Sequence, residues 1–366
     1  MTTNADNIQL SIVDIESKYK VDYAEYSYGN GNASDRPVGW GDDNQLPTLY
    51  YNCYAKSSTL KAIVDSCVNY TLGDDIQVND SAKYWEKKVN RNMMTIRQFI
   101  EKIALSLFIY NGYAVQVVYN KLGQIVELFP LDFRKCRVNE NCTKVFYNKT
   151  WSKYQGKYEE FDIFDPKNLK LDKYTQIFWY KSATLSNIYP YPMYNGALYD
   201  ILSEIESSRY SLNTITSGFA AKHLIQFPET NALTDEQKEG IETAIRNKFT
   251  GPDASASFML YWRNGDGDAD KIEVSKIESD DNAERFLAIR NSVRENIFIS
   301  MRTSPMLCGL PNATNGFSTN EYRDSLQIFL KNVISPIQDI ILEGLGKMTG
   351  TENGFTIVPY DIKFAE

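Results

Sequence analysis

The sequence predicts an α+β protein in which long helices extend beyond a strand-rich body. Three observations predict it. Residues 113 to 133 alternate apolar and polar side chains in strand fashion, and further strand-like runs extend the sheet region to about residue 181. Two stretches, about 194–221 and 279–301, repeat apolar residues at helical spacing over unusual lengths. A Pro/Gly/Asn-rich segment, SPMLCGLPNATNG, then separates the second of these from a third long amphipathic run.

At 366 residues the chain can bury a substantial core, as one large domain or two or three smaller ones. Hydrophobic residues make up 43% and charged residues 23%, a globular balance. The 25 tyrosines are the unusual feature, and they suit extended contact surfaces that are both apolar and wettable. A net charge of −8 repels nucleic acid over most of the surface. The N-terminus has no basic start followed by an apolar stretch, and the longest apolar run, near IALSLFIY, is too short to cross a bilayer. These features predict a soluble chain, not exported by a standard signal and without a membrane partner.

In chain order, residues 1–36 are polar and Tyr-rich, end in YGNGNASDRP, and read as an arm with little core of its own. Pro47 suits a first helical turn. Leu60, Ile63, Val64, Cys67 and Val68 mark one helical face, with Gly73 as its stop. Residues 95–111 predict a second helix bearing Phe99, Ile103, Leu107 and Tyr110 on one side, closed by Gly112. A Lys-Leu-Gly turn then joins a hairpin, and further strands are expected through KVFYNKT, WSKYQGKYEEF and QIFWYK.

The long helix from about 194 to 221 carries Leu198, Ile201, Leu202, Ile205, Leu212, Ile215 and Phe219 on its seam, a rod of roughly 40 Å. A small insert follows, with HLIQF, FMLYWR and KIEVSKI as strands and TDEQKEGIETAIRNKF as a helix. The next long helix begins near Ser279 with an acidic first turn and buries Phe286, Ile289, Val293, Ile297 and Met301. After the loop, Ser318-x-x-Glu321 matches a capping box. The helix it starts has a stripe of Tyr322, Leu326, Phe329, Leu330, Val333, Ile337, Ile340 and Ile341, and Pro336 within it should kink it. The terminal FTIVPYDIKF reads as a returning strand.

Chemical motifs are sparse. Asp42 and Asp43 form a carboxylate pair in principle, but GWGDDNQLP favours turn and cap roles for them. Asp266, Asp268 and Asp270 alternate as in a calcium loop, yet Lys271 stands where glycine is needed and Ile277 where the bidentate glutamate is needed. One histidine, His223, cannot build a His-rich metal site. The five scattered cysteines lack zinc spacing and read as reduced thiols. No nucleophile elbow, phosphate loop or dinucleotide fingerprint is present, so neither an enzyme nor a cofactor is predicted.

The order of elements, with the stretches GWGDDNQLP, ELFPLDFRKCRV, IFWYKSATLSNIYPYP and SPMLCGLPNATNGFSTNEYRDSLQIFLKNVISPIQDII, resembles the portal proteins of tailed bacteriophages over about residues 37–348. The resemblance implies an N-terminal arm (1–36), a wing (37–192, completed by 319–366), stem helices (193–221 and 278–301), a clip (222–277) and a tunnel loop (302–318). A C-terminal crown of the kind common in that family would be short or absent here, or else the sequence is a truncated form. It implies a dodecameric ring at one capsid vertex of the virion, assembled in the host cytoplasm. Its partners would be double-stranded DNA, the large terminase subunit, a head–tail adaptor, and the major capsid protein or scaffold.

On this reading the loop residues Asn312, Thr314 and Asn315 face DNA. Arg302 and Arg323 near the loop ends suit phosphates, or acids of a neighbouring subunit. An acidic subunit avoids the phosphate stickiness that would stall a moving duplex. Two other readings compete: a carbohydrate-binding or carbohydrate-active protein, suggested by the tyrosines and the sheet region, and a metal-dependent nuclease using Asp42 and Asp43.

Overall fold

The computed structural model describes residues 35–152, 157–169, 173–183, 188–216, 223–227, 258–262, 273–276, 283–310 and 319–360, with scattered positions between 234 and 243. The chain divides into two units, one made of Met1–Gly196 with Phe298–Glu366 and the other of Ala197–Ile297.

In the first unit, helix α1 (Leu46–Lys56) carries Pro47 in its first turn. The Ser57 hydroxyl accepts a bond from Leu60 N at 3.0 Å and starts α2 (Ser58–Leu72). The predicted face of Leu60, Ile63, Val64, Cys67 and Val68 is buried, and Gly73, at φ 59°, ends the helix. Helix α3 (Ile96–Tyr110) opens with a reciprocal capping box between Thr95 and Gln98. Its Phe99, Ile103 and Leu107 are at most 1% exposed, and each such side chain contributes about 1.5–3 kcal/mol relative to exposure.

The end of α3 differs from expectation by one residue. Asn111, at φ 59°, takes the left-handed cap, which asparagine tolerates better than most residues. Gly112 instead begins the next strand, where a Cβ would stand 2.7 Å from the Phe133 ring and 2.9 Å from Tyr180 O. This glycine is required by close approach, not by helix capping.

The strand region to residue 181 forms two antiparallel three-stranded sheets. In the first, β2 (Gly112–Tyr119) lies between β3 (Ile125–Leu131) and β7 (Thr175–Lys181), with Val115 opposite both Pro130 and Phe178. The hairpin turn closes as expected, with Gly123 N donating to Asn120 O. The second sheet orders β4 (Cys136–Val138), β5 (Lys144–Tyr147) and β6 (Glu159–Asp162), and an Ile163–Ile177 bridge joins the two. Strand β1 (Asp75–Val78) pairs with β11 (Phe355–Val358), which is the predicted returning strand.

Three of the stretches quoted above meet at one buried point. Trp40 stacks on Tyr189 at 4.4 Å, and Tyr189 Oη donates to Val38 O at 2.6 Å and accepts from Val138 N at 3.1 Å. Asn44, in the left-handed region at φ 61°, accepts from Trp40 N and from Arg137 Nε. Arg137 Nη2 donates to Asn44 O, and Nη1 to the carbonyls of Arg134 and Cys136. The guanidinium is 1% exposed and lies near the rings of Trp40 and Trp151. Burial lowers its pKa to about 10, so it remains a cation at neutral pH. Asp43 has the expected turn role, accepting from Gln45 N at 2.9 Å.

After the loop, α6 (Thr319–Phe329) and α7 (Ser335–Thr349) flank a π-helical turn at Leu330–Ile334. Ser335 N donates to Leu330 O, five residues back. The break predicted from Pro336 is therefore realised one turn earlier: the wider turn comes just before the residue that lacks an N–H and would crowd an α-helical carbonyl. Leu326, Phe329, Val333, Ile337 and Ile341 are buried as expected. Ser318 of the predicted capping box lies outside the described residues.

In the second unit, α4 (Leu198–Thr216) buries Leu198, Ile201, Leu202 and Ile205, whereas Leu212 is 61% exposed. At 19 residues its described length is roughly 28 Å. Helix α5 (Ala283–Ser300) buries Val293 and Ile297, and Asn296 donates to Asp200 of α4 at 3.1 Å. Strand β8 (His223–Phe227) is antiparallel to β10 (Glu273–Lys276) and parallel to β9 (Phe258–Trp262). A parallel pair needs a long crossover, and helical residues between 236 and 243 lie in that connection. His223 falls on β8, while Asp266, Asp268, Asp270 and the side chains of Ile215, Phe219, Phe286 and Ile289 lie outside the described residues.

Candidate nucleic-acid contact loop

Helix α5 ends in a turn normally built around glycine. Arg302 N donates to Ile299 O at 3.0 Å and Thr303 N to Phe298 O at 3.1 Å, the paired bonds of a Schellman cap. The left-handed position between them belongs to Arg302, at φ 52°, at a cost of roughly 1–2 kcal/mol for a side chain there. The chain then makes a short 3-10 turn, Pro305–Cys308, and leaves it through Gly309 at φ 77°.

That turn is fixed from below by Tyr70 of α2. Its hydroxyl donates to Leu307 O at 2.9 Å and lies 3.3 Å from the Tyr322 hydroxyl. Its ring packs edge-on against Phe329 at 5.6 Å and Tyr360 at 5.0 Å. One side chain thus joins the residues before the loop to the helix after it. Burial, reinforced by Tyr322, raises its pKa, so the hydroxyl stays protonated and able to donate.

A cavity of about 230 Å³ opens beside these roots, with Arg302, Ser304, Ser325, Ile328 and Asn332 in its wall. Ser304 Oγ is buried and has no hydrogen-bond partner. Of the residues expected to face DNA, Arg302 is exposed in this wall and Arg323 is exposed on α6 but outside the lining. Asn312, Thr314 and Asn315 lie outside the described residues.

Sequence reasoning missed Tyr70 and Ser304. For Tyr70 a signal existed: it follows Cys67 by three residues and so continues the buried face of α2. Nothing in the sequence marks Ser304, whose isolation arises from packing alone.

Among the described residues, no group of three or more His, Cys, Asp or Glu side chains is placed to hold a metal ion, and no helix is long and apolar enough to cross a membrane.

The model of the phage portal protein family matches residues 70–361, well over half of the sequence. The chain belongs to the phage portal protein family. Solved structures share the fold. A protein in the neck of an empty gene transfer agent particle is 15% identical with a TM-score of 0.59, over 89% of this chain and 86% of its own. One from the native gene transfer agent virion gives 15% and 0.58 over the same shares. An HK97 family phage portal protein from Corynebacterium diphtheriae gives 11% and 0.52, over 85% of this chain and 95% of its own. No curated protein matches by sequence. The portal fold expected from the order of elements is thus the fold present, and the family is a structural one.

Proposed function

We propose that this portal protein closes into a dodecameric ring at one capsid vertex and conducts double-stranded DNA during genome packaging and ejection. It docks the large terminase subunit and later the head–tail adaptor, contacts the major capsid protein or scaffold, and catalyses no reaction itself. In this reading residues 37–192 with 319–366 are the wing, 193–221 and 278–301 the stem, 222–277 the clip and 302–318 the tunnel loop. The separation of Ala197–Ile297 as its own unit supports that division.

The observation that carries the proposal is the built root of the loop. Leu307 and Tyr322, before and after the loop, both meet Tyr70, and Arg302 is kept exposed in a conformation that costs free energy. Strain of this kind persists where the surroundings enforce it, and it clusters at functional positions. An arginine there, with Asn312, Thr314, Asn315 and Arg323 nearby in sequence, suits transient sequence-independent contacts to phosphates. Exposed Leu212, Ile299 and Ile328, at 61%, 72% and 61%, suit contacts with copies of the chain around a ring.

Negative-stain microscopy of the purified chain with its capsid proteins tests the ring: annular particles with a central hole are expected, and a persistent monomer with metal- or glycan-dependent activity would overturn it. Replacing Asn312 and Asn315 by alanine should leave the rings intact and change the fraction of packaged DNA retained.

A further inference from the structure

The cavity of about 230 Å³ beside the loop roots holds more than the contact already assigned to Arg302. Its floor is apolar: Leu307, Phe329 and Val333 belong to the core and call for no occupant. Its polar wall does call for one. Arg302, Thr303 and Ser304 enter from the turn after α5, Ser325 from α6 and Asn332 from the π-helical turn. None of these five side chains makes a hydrogen bond or ion pair among the described residues, and no acid lines the space.

Two of the five are held unfavourably. Arg302 occupies left-handed backbone at φ 52°, and the Ser304 hydroxyl is buried with nothing to bond. A buried orphan donor in a native fold calls for a water, ion or ligand that satisfies it. The other groups narrow the choice. The guanidinium offers paired donors that match an oxyanion, the hydroxyls and the Asn332 amide add donors in other directions, and the apolar floor weakens the screening of the charge. A planar carboxylate leaves most of these donors unused, whereas a phosphate spreads its acceptor oxygens over a tetrahedron. The volume is the share of roughly seven or eight waters, which takes a phosphate with part of its hydration shell. Asn332 stands on a π turn, an irregularity that recurs at functional sites.

We propose that this cavity is a seat for one phosphate group, clamped by the Arg302 guanidinium and completed by the hydroxyls of Ser304 and Ser325 and the Asn332 amide. The seat rests on the reading of Arg302 as a phosphate contact and deepens it. It adds ligands from α6 and the π turn and gives the contact a defined stoichiometry. Inorganic phosphate and a backbone phosphodiester share the chemistry it recognises.

Equilibrium dialysis of the full chain against radiolabelled inorganic phosphate, at constant ionic strength, tests the seat. One phosphate per chain is expected. Arg302→Gln should weaken it about a hundredfold, and Ser304→Ala or Asn332→Leu about tenfold each. Lys121→Gln, on the exposed β2–β3 turn, should leave it unchanged. Ser304→Ala also separates a ligand role from a structural one. In phosphate-free buffer it should be no less stable than the unmodified chain, because it removes an unpartnered buried hydroxyl. Phosphate at about tenfold excess over its Kd should raise the Tm of the unmodified chain by about 2 °C, and that of the variant by less.

A short DNA duplex that displaces the phosphate identifies a backbone phosphodiester as the source, and a duplex that leaves it bound identifies the free ion; both support the seat. The absence of a saturable site, a site untouched by Ser304→Ala and Asn332→Leu, or acetate binding as tightly as phosphate would overturn it. Should phosphate fail to bind while Arg302→Gln still lowers DNA retention, the seat falls and the conducting role stands. Phosphate bound at the seat with retention unchanged in Arg302→Gln would support the seat and remove Arg302 from the conducting role.

Discussion

Arg137 and Arg302 belong to the same unit and carry the same guanidinium, yet their surroundings make them opposites. Arg137 is buried, with its donors spent on the carbonyls of Asn44, Arg134 and Cys136 and on the Asn44 side chain. Its backbone lies in an ordinary strand. Arg302 is exposed, sits on strained backbone, and has a buried hydroxyl without a partner two residues further on. The first cation is committed to holding three chain segments together. The second is placed where a protein interested only in stability would use glycine. Their difference separates the part of the first unit that must not move from the part that is available for contact.

Breaking the committed side should have the largest effect. Arg137→Met strands four buried acceptor contacts around Trp40 and should lower unfolding free energy by about 3–5 kcal/mol, measured by denaturant titration. An effect under about 1 kcal/mol would mean that water replaces the guanidinium and the point is not dry.

Gly344→Ala probes the same rigid body at α7. A Cβ there would lie 2.0 Å from Tyr113 Oη, a buried hydroxyl with no hydrogen-bond partner. Overpacking should cost about 1–3 kcal/mol, and adding Tyr113→Phe should restore most of it. Absence of rescue would locate the damage in the backbone of α7.

At the boundary between the two regimes, Tyr70→Phe keeps the ring packing and removes the bond to Leu307 O. A loss of about 1 kcal/mol is expected, with faster hydrogen exchange confined to residues near 306–310 and 319–322. Uniformly faster exchange across the first unit would show that Tyr70 supports the whole body and not the loop root.

The smallest effect, with the opposite sign, is expected at the available side. Arg302→Gly relieves the left-handed strain, so stability should rise by up to about 1 kcal/mol while DNA retention in assembled particles falls. Stability and retention falling together would make Arg302 a structural residue like Arg137, and the contrast would collapse.

Much of this was legible before any coordinates. The stripes of α2 and α3, the hairpin, the strands of the second unit and the returning strand follow from periodicity and turn chemistry, because each depends on residues close in sequence. The cap at Asn111 was misassigned to Gly112, since local rules see a glycine after a helix and cannot see the Phe133 ring that needs the space. The irregularity around Pro336 was foreseen, but its form as a π turn was not, because hydrogen-bond registers differ little in free energy until packing selects one.

By itself the sequence determined the kinds of element, their order, and through that order the portal family, because apolar spacing and caps act over a few residues. Tertiary structure alone decided that GWGDDNQLP and RKCRV close on one buried guanidinium, that Tyr70 joins the two roots of a loop more than two hundred residues away, and that Ser304 is left without a partner. Those outcomes depend on which surfaces exclude water together, and a hydrogen bond's worth is set by that exclusion and not by the residues that make it.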